Sequence, residues 1–391
     1  MKTRTMKITH FFMDEEKFFE TTFKIFNQDA LENHWYISCE DGKKKQWSKE
    51  PLATIIDFAD YKKERFNENL INDVIRKSQI TIFHYFDAKY LPFYHTLVKS
   101  HCVILQLWGG DYTAQTLRPS ELTGRRSFEE CIQPFSKTNA IPSRIARFYY
   151  DAKWLLNKFR HSYLQALSEA NHVGLELGDF EKHFFNLRIN RINGMHIPYS
   201  ADIRSVLEVE PELPNGNNVL LGNSAALTNS HIDVLELLKE ERTQFATCIL
   251  PLSYGGNDDV VQSISSFAQK HLPAQHKILN TFLSREEYFE ILNSCSIVIM
   301  NHTRQQALGN ILWAIANCRT LYLNPKGVIF NRLREIGILA HSTHAIPKNG
   351  LQPFSMSQLI ANRDALRQFY PEKTDISASL QEILNTQHSA K

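Results

Sequence analysis

The stretch VLLGNSAALTNSHIDVL, residues 219–235, decides how the second half of the chain is read. Val219, Leu220 and Leu221 end an apolar strand, Gly222, Asn223 and Ser224 make a turn, and a helix opens near Asn229, Ser230 and His231. A glycine followed by small polar residues lets backbone N–H groups approach a phosphate, and the next helix N-terminus adds partial positive charge. The same residues also suit an ordinary strand-to-helix turn with Asn and Ser as caps, so this turn alone leaves both readings open.

Outward from this stretch, short apolar runs alternate with helix-like segments, the pattern of βα units feeding a parallel sheet. In the second half the pattern predicts strands at 219–222, 246–252, 277–281, 296–301 and 320–323, with helices at 230–242, 257–270, 285–294, 307–317 and 328–336. Ser284 followed by Glu287 predicts a capping box. In the first half it predicts strands at 6–12, 34–38, 80–86, 102–108 and 173–177, and helices at 15–27, 62–78, 88–99 and 142–170. The stretch SVLEVEPELPNGNN, residues 205–218, interrupts regular structure with prolines, a glycine and asparagines and reads as a connection. The expected domains are therefore 1–207, 218–350 and a helical tail over 351–391 that can pack back onto the first. Two doubly wound halves place ligands at the carboxyl ends of their strands, here across a crevice between the domains.

Composition sets the outer limits. With 391 residues, 43% hydrophobic and 22% charged, the chain supports more than one core and is not of the disordered class. A net charge of only +2 offers no overall field for nucleic acid. Six scattered cysteines form no CxxC pair, so reduced, buried thiols are expected. Residues 1–19 reach Asp14, Glu15 and Glu16 before any signal-peptide core develops, and no apolar run approaches the roughly 18 to 20 residues that span a bilayer. A cytoplasmic protein with peripheral membrane contact is expected.

Further segments carry chemistry. In IVIMNHTRQQALGNILWAIAN, residues 297–317, a strand leads through Arg304, Gln305 and Gln306 into a helix containing Gly309 and Asn310. That loop offers amide donors, one fixed cation and a helix start, which suit a departing diphosphate; a surface ion pair for Arg304 is the structural alternative. In CILPLSYGGNDD, residues 248–259, Tyr254 stands at a strand end where it can touch a nucleotide or sugar, or simply close a sheet edge.

CVILQLWGGDY, residues 102–112, puts Trp108, Gly109, Gly110 and Asp111 at the end of a buried strand. Asp111 can serve as general base for an acceptor hydroxyl or cap the next segment. His84 ends the strand ITIFHYF and can share proton handling, or hydrogen-bond structurally. Residues 141–164 mix Arg144, Arg147, Lys153, Lys158 and Arg160 with aromatics such as Trp154, the composition of an interfacial helix or of a core helix with a basic face. No D-x-D sequence is present, so no metal and no cofactor are expected at the diphosphate.

The ordered series FHYFD (83–87), LQLWGGDYT (105–113), LLGNSAALTNSHID (220–233), LPLSYGG (250–256), EYFEILNSCSIVIMNHTRQQALGNILWAI (287–315) and LYLNP (321–325) resembles the TDP-N-acetylfucosamine:lipid II N-acetylfucosaminyltransferases, glycosyltransferase family 56, which make enterobacterial common antigen precursors. The resemblance implies a GT-B fold, two Rossmann-like domains facing across a cleft. It places the donor nucleotide in the C-terminal domain and a lipid-linked acceptor at the N-terminal domain, without a metal ion. It assigns Gly222, Asn223, Ser224, Arg304, Gln305, Gln306 and Gly309 to the donor side and Trp108, Gly109 and Asp111 to the acceptor side. Ala307 replaces a glycine of the family's loop.

The expected activity is transfer of a sugar, of the 4-acetamido-4,6-dideoxyhexose type, from a TDP- or UDP-sugar to an undecaprenyl-diphosphate-linked glycan at an anionic membrane surface, with Asp111 as base. A nucleotide-sugar epimerase and a non-catalytic saccharide-binding protein are the alternatives; the basic aromatic segment favours a lipid-linked acceptor over the epimerase.

Overall fold

The computed structural model describes residues 5–39, 53–112, 117–131, 143–177, 193–199, 203–239, 245–370 and 376–389. The chain packs as two compact units: residues 1–116, 157–202 and 373–391 form the first, and 117–156 with 203–372 form the second. The sequence pattern keeps 1–207 in one piece, whereas 117–156 packs with the second unit.

In the first unit β1 (Met6–Met13), β2 (Leu31–Cys39), β3 (Ala53–Asp57), β4 (Ile80–His84), β5 (Cys102–Gln106), β6 (His172–Leu175) and β7 (Gly194–His196) form a sheet in the order β3-β2-β1-β4-β5-β6-β7. Every strand pair is parallel. Parallel strands are covered on both faces and so run largely apolar, as the fully buried β4 and β5 do apart from Thr81, His84 and Gln106. Phe11, Phe83, Phe86, Phe93 and Tyr94 fill the core on one face.

In the second unit β8 (Asn218–Leu221), β9 (Cys248–Pro251), β10 (His276–Leu279), β11 (Cys295–Met300), β12 (Thr320–Leu323) and β13 (His341–Ser342) form a parallel sheet in the order β10-β9-β8-β11-β12-β13. The Ser284 hydroxyl accepts from the Glu287 amide at 3.1 Å while Glu287 accepts from the Ser284 amide at 2.8 Å, the predicted capping box.

Two helical expectations are corrected. The run at 142–170 is two helices, Ser143–Leu155 and Lys158–Glu169, with the unit boundary between them. The connection at 205–218 begins as a helix, Ile203–Glu208, because Ile203 and Leu207 find burial there. The guanidinium groups of Arg363 and Arg367 hold its last carbonyls, each donating to the Leu207 carbonyl at 3.0 and 2.9 Å.

Candidate functional site

In the second sheet the chain runs outward from β8 through β9 to β10, then returns to the other side of β8 as β11. Ligands of doubly wound sheets lie beyond the strand ends at such a reversal. Here the two segments leaving the sheet at that point are 222–230 and 301–307, the turns the sequence singled out.

Side chains tie these segments together. Gln306 Nε2 donates to Asn223 Oδ1 at 2.9 Å, and Asn223 Nδ2 donates to the Tyr254 hydroxyl at 3.1 Å. Gln306 Oε1 accepts from Thr228 Oγ1 at 2.6 Å and from Arg304 Nε at 2.8 Å. Arg304 Nε also reaches Thr228 Oγ1 at 3.3 Å. One cation, two amides and a phenol are thus held in a continuous line at the sheet's carboxyl edge. His302 Nδ1 donates to the Arg304 carbonyl at 2.9 Å and pins the loop.

Gln305 is buried in the same loop. Asn310 is set apart from the line, its amide donating to the Tyr288 hydroxyl at 3.0 Å. Gly309 lies in the first turn of the helix Leu308–Ala316, where amides have no partner within the helix. Ala307 caps that helix at φ 55, a left-handed conformation that costs a non-glycine residue about 1 kcal/mol and accounts for the glycine the resemblance puts there.

Gly222 has φ +71, and a Cβ on it would run into His231 Nε2. The His231 ring fills the space under the turn, and among the described residues neither of its buried nitrogens has a hydrogen-bond partner. Burial drives its pKa down to about 3, so it is neutral. Ser224 is buried too, and its carbonyl accepts from Asn229 Nδ2 at 2.8 Å.

The segment from the first half of the chain that joins this unit was missed as part of the site. Ser127 Oγ accepts from the Ile232 amide at 3.2 Å, near the start of the helix His231–Leu238. In return Asp233 accepts from the amides of Arg126 at 3.0 Å and Ser127 at 2.9 Å, at the start of the helix Arg125–Cys131. Each helix start is capped by the other's side chain. Thr303 Oγ1 donates to the Glu121 carbonyl at 2.8 Å, so the 301–307 loop is held by the same segment. Nothing local to residues 117–131 signals this, since its partners lie more than a hundred positions away.

In the first unit Trp108 stacks on Tyr199 with centroids 5.4 Å apart and meets Phe18 at 4.5 Å, and its indole N–H has no partner among the described residues. Gly109 adopts φ 97, and Gly110 follows it directly before Asp111. The Asp111 carboxylate accepts from the amides of Trp108 and Tyr112 at 3.1 Å, of Gly109 at 3.0 Å and of Phe86 at 3.2 Å. That is a cap, the structural alternative the sequence also allowed. Burial raises the carboxyl to about 7 while the amides pull it back.

His84 is fully enclosed, with Nδ1 against Gln106 Oε1 and Nε2 2.9 Å from His10 Nδ1, contacts that link three strands.

Burial holds His84, His231 and His302 near a pKa of about 3. Below about 6.5 the unfolded chain binds protons these rings refuse, so stability falls as pH drops toward 3, by about 1.4 kcal/mol per pH unit for each ring. Asp111, raised, has the opposite sign between its unfolded value and 7, but is outnumbered. Urea unfolding midpoints should therefore fall from pH 7 to pH 5; a flat or rising profile contradicts neutral rings.

Among the residues read as membrane-facing, Arg147 is committed internally. It donates to the Ser120 carbonyl at 2.6 Å and lies over the Phe128 ring. Lys153 is exposed, Trp154 and Arg160 are half-buried, and the side chains of Arg144 and Lys158 lie outside the described residues. Besides Lys153, the helix Ser143–Leu155 exposes Ile145, Phe148 (74%), Tyr149 and Leu155, continued by Leu156 (82%). Their spacing of three and four puts them on one face. No helix among the described residues is long and apolar enough to cross a membrane.

Residues 156–334 match the family model described as 4-alpha-L-fucosyltransferase glycosyl transferase group 56. The resemblance to glycosyltransferase family 56 is therefore borne out over that stretch; FHYFD and LQLWGGDYT lie outside it. The chain is similar in fold to the Candida albicans trehalose-6-phosphate phosphatase N-terminal domain (TM-score 0.62, 11% identity, 98% of each chain covered). It is also similar to sucrose-phosphate synthase from Thermosynechococcus elongatus (0.59, 9%, 99% of this chain and 100% of that one). A third similar structure is trehalose-6-phosphate from E. coli bound with UDP-2-fluoro glucose (0.55, 13%, 98% of each). At these identities the likeness concerns the fold, and it bears out the GT-B expectation. Fold and family match together support a glycosyltransferase.

Proposed function

We propose, from the match of residues 156–334 to glycosyl transferase group 56, that this chain is a hexosyltransferase using a TDP- or UDP-sugar, with an undecaprenyl-diphosphate-linked saccharide as acceptor. The observation that carries the donor half is the hydrogen-bonded line from Tyr254 through Asn223 and Gln306 to Arg304 at the reversal of the strand order. When the bond between the sugar's anomeric carbon and the diphosphate oxygen breaks, charge accumulates on the leaving nucleoside diphosphate. Arg304, fixed by Gln306 and Thr228, and the free amides that open the helix Leu308–Ala316 are suited to receive it without a metal ion. The sugar is of the 4-acetamido-4,6-dideoxyhexose type, following the resemblance.

A lipid-linked acceptor fits the exposed apolar face of the helix Ser143–Leu155, with Lys153 beside it, which has the make-up of an interfacial helix lying at the inner face of a bacterial membrane. The enclosure of both Asp111 and His84 is the one observation that favours the non-catalytic saccharide-binding reading. One experiment separates the two: incubate the protein with TDP- and UDP-sugars in chelator, with and without bacterial lipid extract, and follow nucleotide release. Release that requires lipid supports the transferase. Tight nucleotide-sugar binding without any release supports the binding protein, and a requirement for a divalent cation rejects the metal-free site.

A further inference from the structure

Phe282 is the most exposed large apolar side chain of residues 203–372, at 81%. Single exposed apolar residues are common and need no function. Phe282 differs in its place and in its neighbour.

It follows β10, which lies two strands from β8 in a parallel sheet, so it leaves the sheet at the same edge as the Gly222 turn, about 10 Å along. Its ring tilts by 34° against that of Tyr254, with centroids 5.9 Å apart. Tyr254 is itself held at both ends. Its hydroxyl accepts from Asn223 Nδ2 at 3.1 Å, and its carbonyl accepts from the Ala225 amide at 2.7 Å. The next residue, Gly255, has φ +83, and a Cβ there would stand 3.1 Å from Ser224 Oγ, which keeps the Tyr254 turn tight against the Gly222 turn.

The line of contacts therefore has two unlike ends. At one, Arg304 supplies a fixed cation beside the start of a helix. At the other, an aromatic ring is presented to solvent, braced from behind by a second ring that hydrogen bonds hold in place. Between them stand amide groups. A nucleoside diphosphate has the same asymmetry: a flat base at one end, hydroxyls between, and charge at the other. Phe282 and Arg304 follow strands three spacings apart, about 14 Å, and the Arg304 side chain reaches back toward β8 at Thr228.

We propose that Phe282, backed by Tyr254, is the platform on which the base of the donor nucleotide stacks. This rests on the donor reading given above and assigns the nucleotide's direction within the site, base toward β10 and diphosphate toward Arg304. Stacking tolerates either pyrimidine, so Phe282 sets affinity for the base without choosing between TDP and UDP.

The test is calorimetric titration of the full chain with TDP and with UDP, using the wild-type protein, Phe282→Ala and Phe282→Trp. With so little of its surface buried, Phe282 can be truncated without opening the core, and an unchanged melting temperature verifies that. The expected result is at least a tenfold loss of affinity for both nucleotides in Phe282→Ala, with near-complete recovery in Phe282→Trp. Wild-type affinity in Phe282→Ala overturns the proposal while leaving the donor reading intact. So does a loss that Phe282→Trp fails to restore. If neither nucleotide binds the wild-type protein, the donor reading itself fails and this inference with it.

Discussion

Asp111→Ala is expected to lower the melting temperature of the protein by about 10 °C. The carboxylate accepts from the amides of Phe86, Trp108, Gly109 and Tyr112, and all of them sit in a buried turn. Removing the acceptor strands these donors. Even with partial repair by water, roughly 3 to 5 kcal/mol is lost, and a melting temperature moves by about 2 to 4 °C per kcal/mol in domains of this size. Asp111→Asn keeps one oxygen and should fall between Ala and the wild-type protein. Calorimetry decides the matter: a general base can be removed with the fold undisturbed, so an unchanged melting temperature in Asp111→Ala contradicts the capping role. Binding of TDP or UDP should not change in either variant, because Asp111 and the donor-side residues belong to different units.

Arg304→Ala should weaken TDP and UDP binding by roughly 10- to 100-fold, the worth of a charge-assisted contact of about 1.5 to 3 kcal/mol. The loss has two parts. The cation disappears, and Gln306 Oε1 loses one of its two donors, which loosens the side chain that also holds Asn223. Arg304→Lys restores charge but not the planar Nε–H that reaches Gln306 and Thr228, so partial recovery is expected. Wild-type affinity in Arg304→Ala, measured by calorimetry, removes Arg304 from the site.

Much of the fold was legible because parallel sheets and helices have strong local signatures. The apolar runs of β4, β5, β8 and β11 lie where the pattern put them, and Thr320–Leu323 agrees to the residue. The strands that went unread, β3, β7 and β13, are all edge strands. β3 carries a mixed burial pattern, and β7 and β13 are only three and two residues long. Such strands need little apolar character, because they have fewer neighbours to cover them. The split of 142–170 was invisible for a different reason: helical periodicity continues across Leu156 and Asn157, and nothing in it records that the two halves pack into different units.

On the donor side, the turns at 222–224 and 301–307 were readable because strand ends, glycines and helix starts are set by neighbouring residues. By itself, then, the sequence determined the succession of β and α segments, the two doubly wound halves and the turns at which a phosphate can be met. Only the tertiary structure decided which polar side chains are already committed. Asp111 reaches back to Phe86, His84 to His10 and Gln106, Arg147 to Ser120, and Asp233 across more than a hundred positions to Arg126 and Ser127. The physical reason is that a propensity belongs to a short stretch of chain, whereas the availability of a buried charge or hydrogen-bonding group depends on partners that folding alone brings within 3 Å or so.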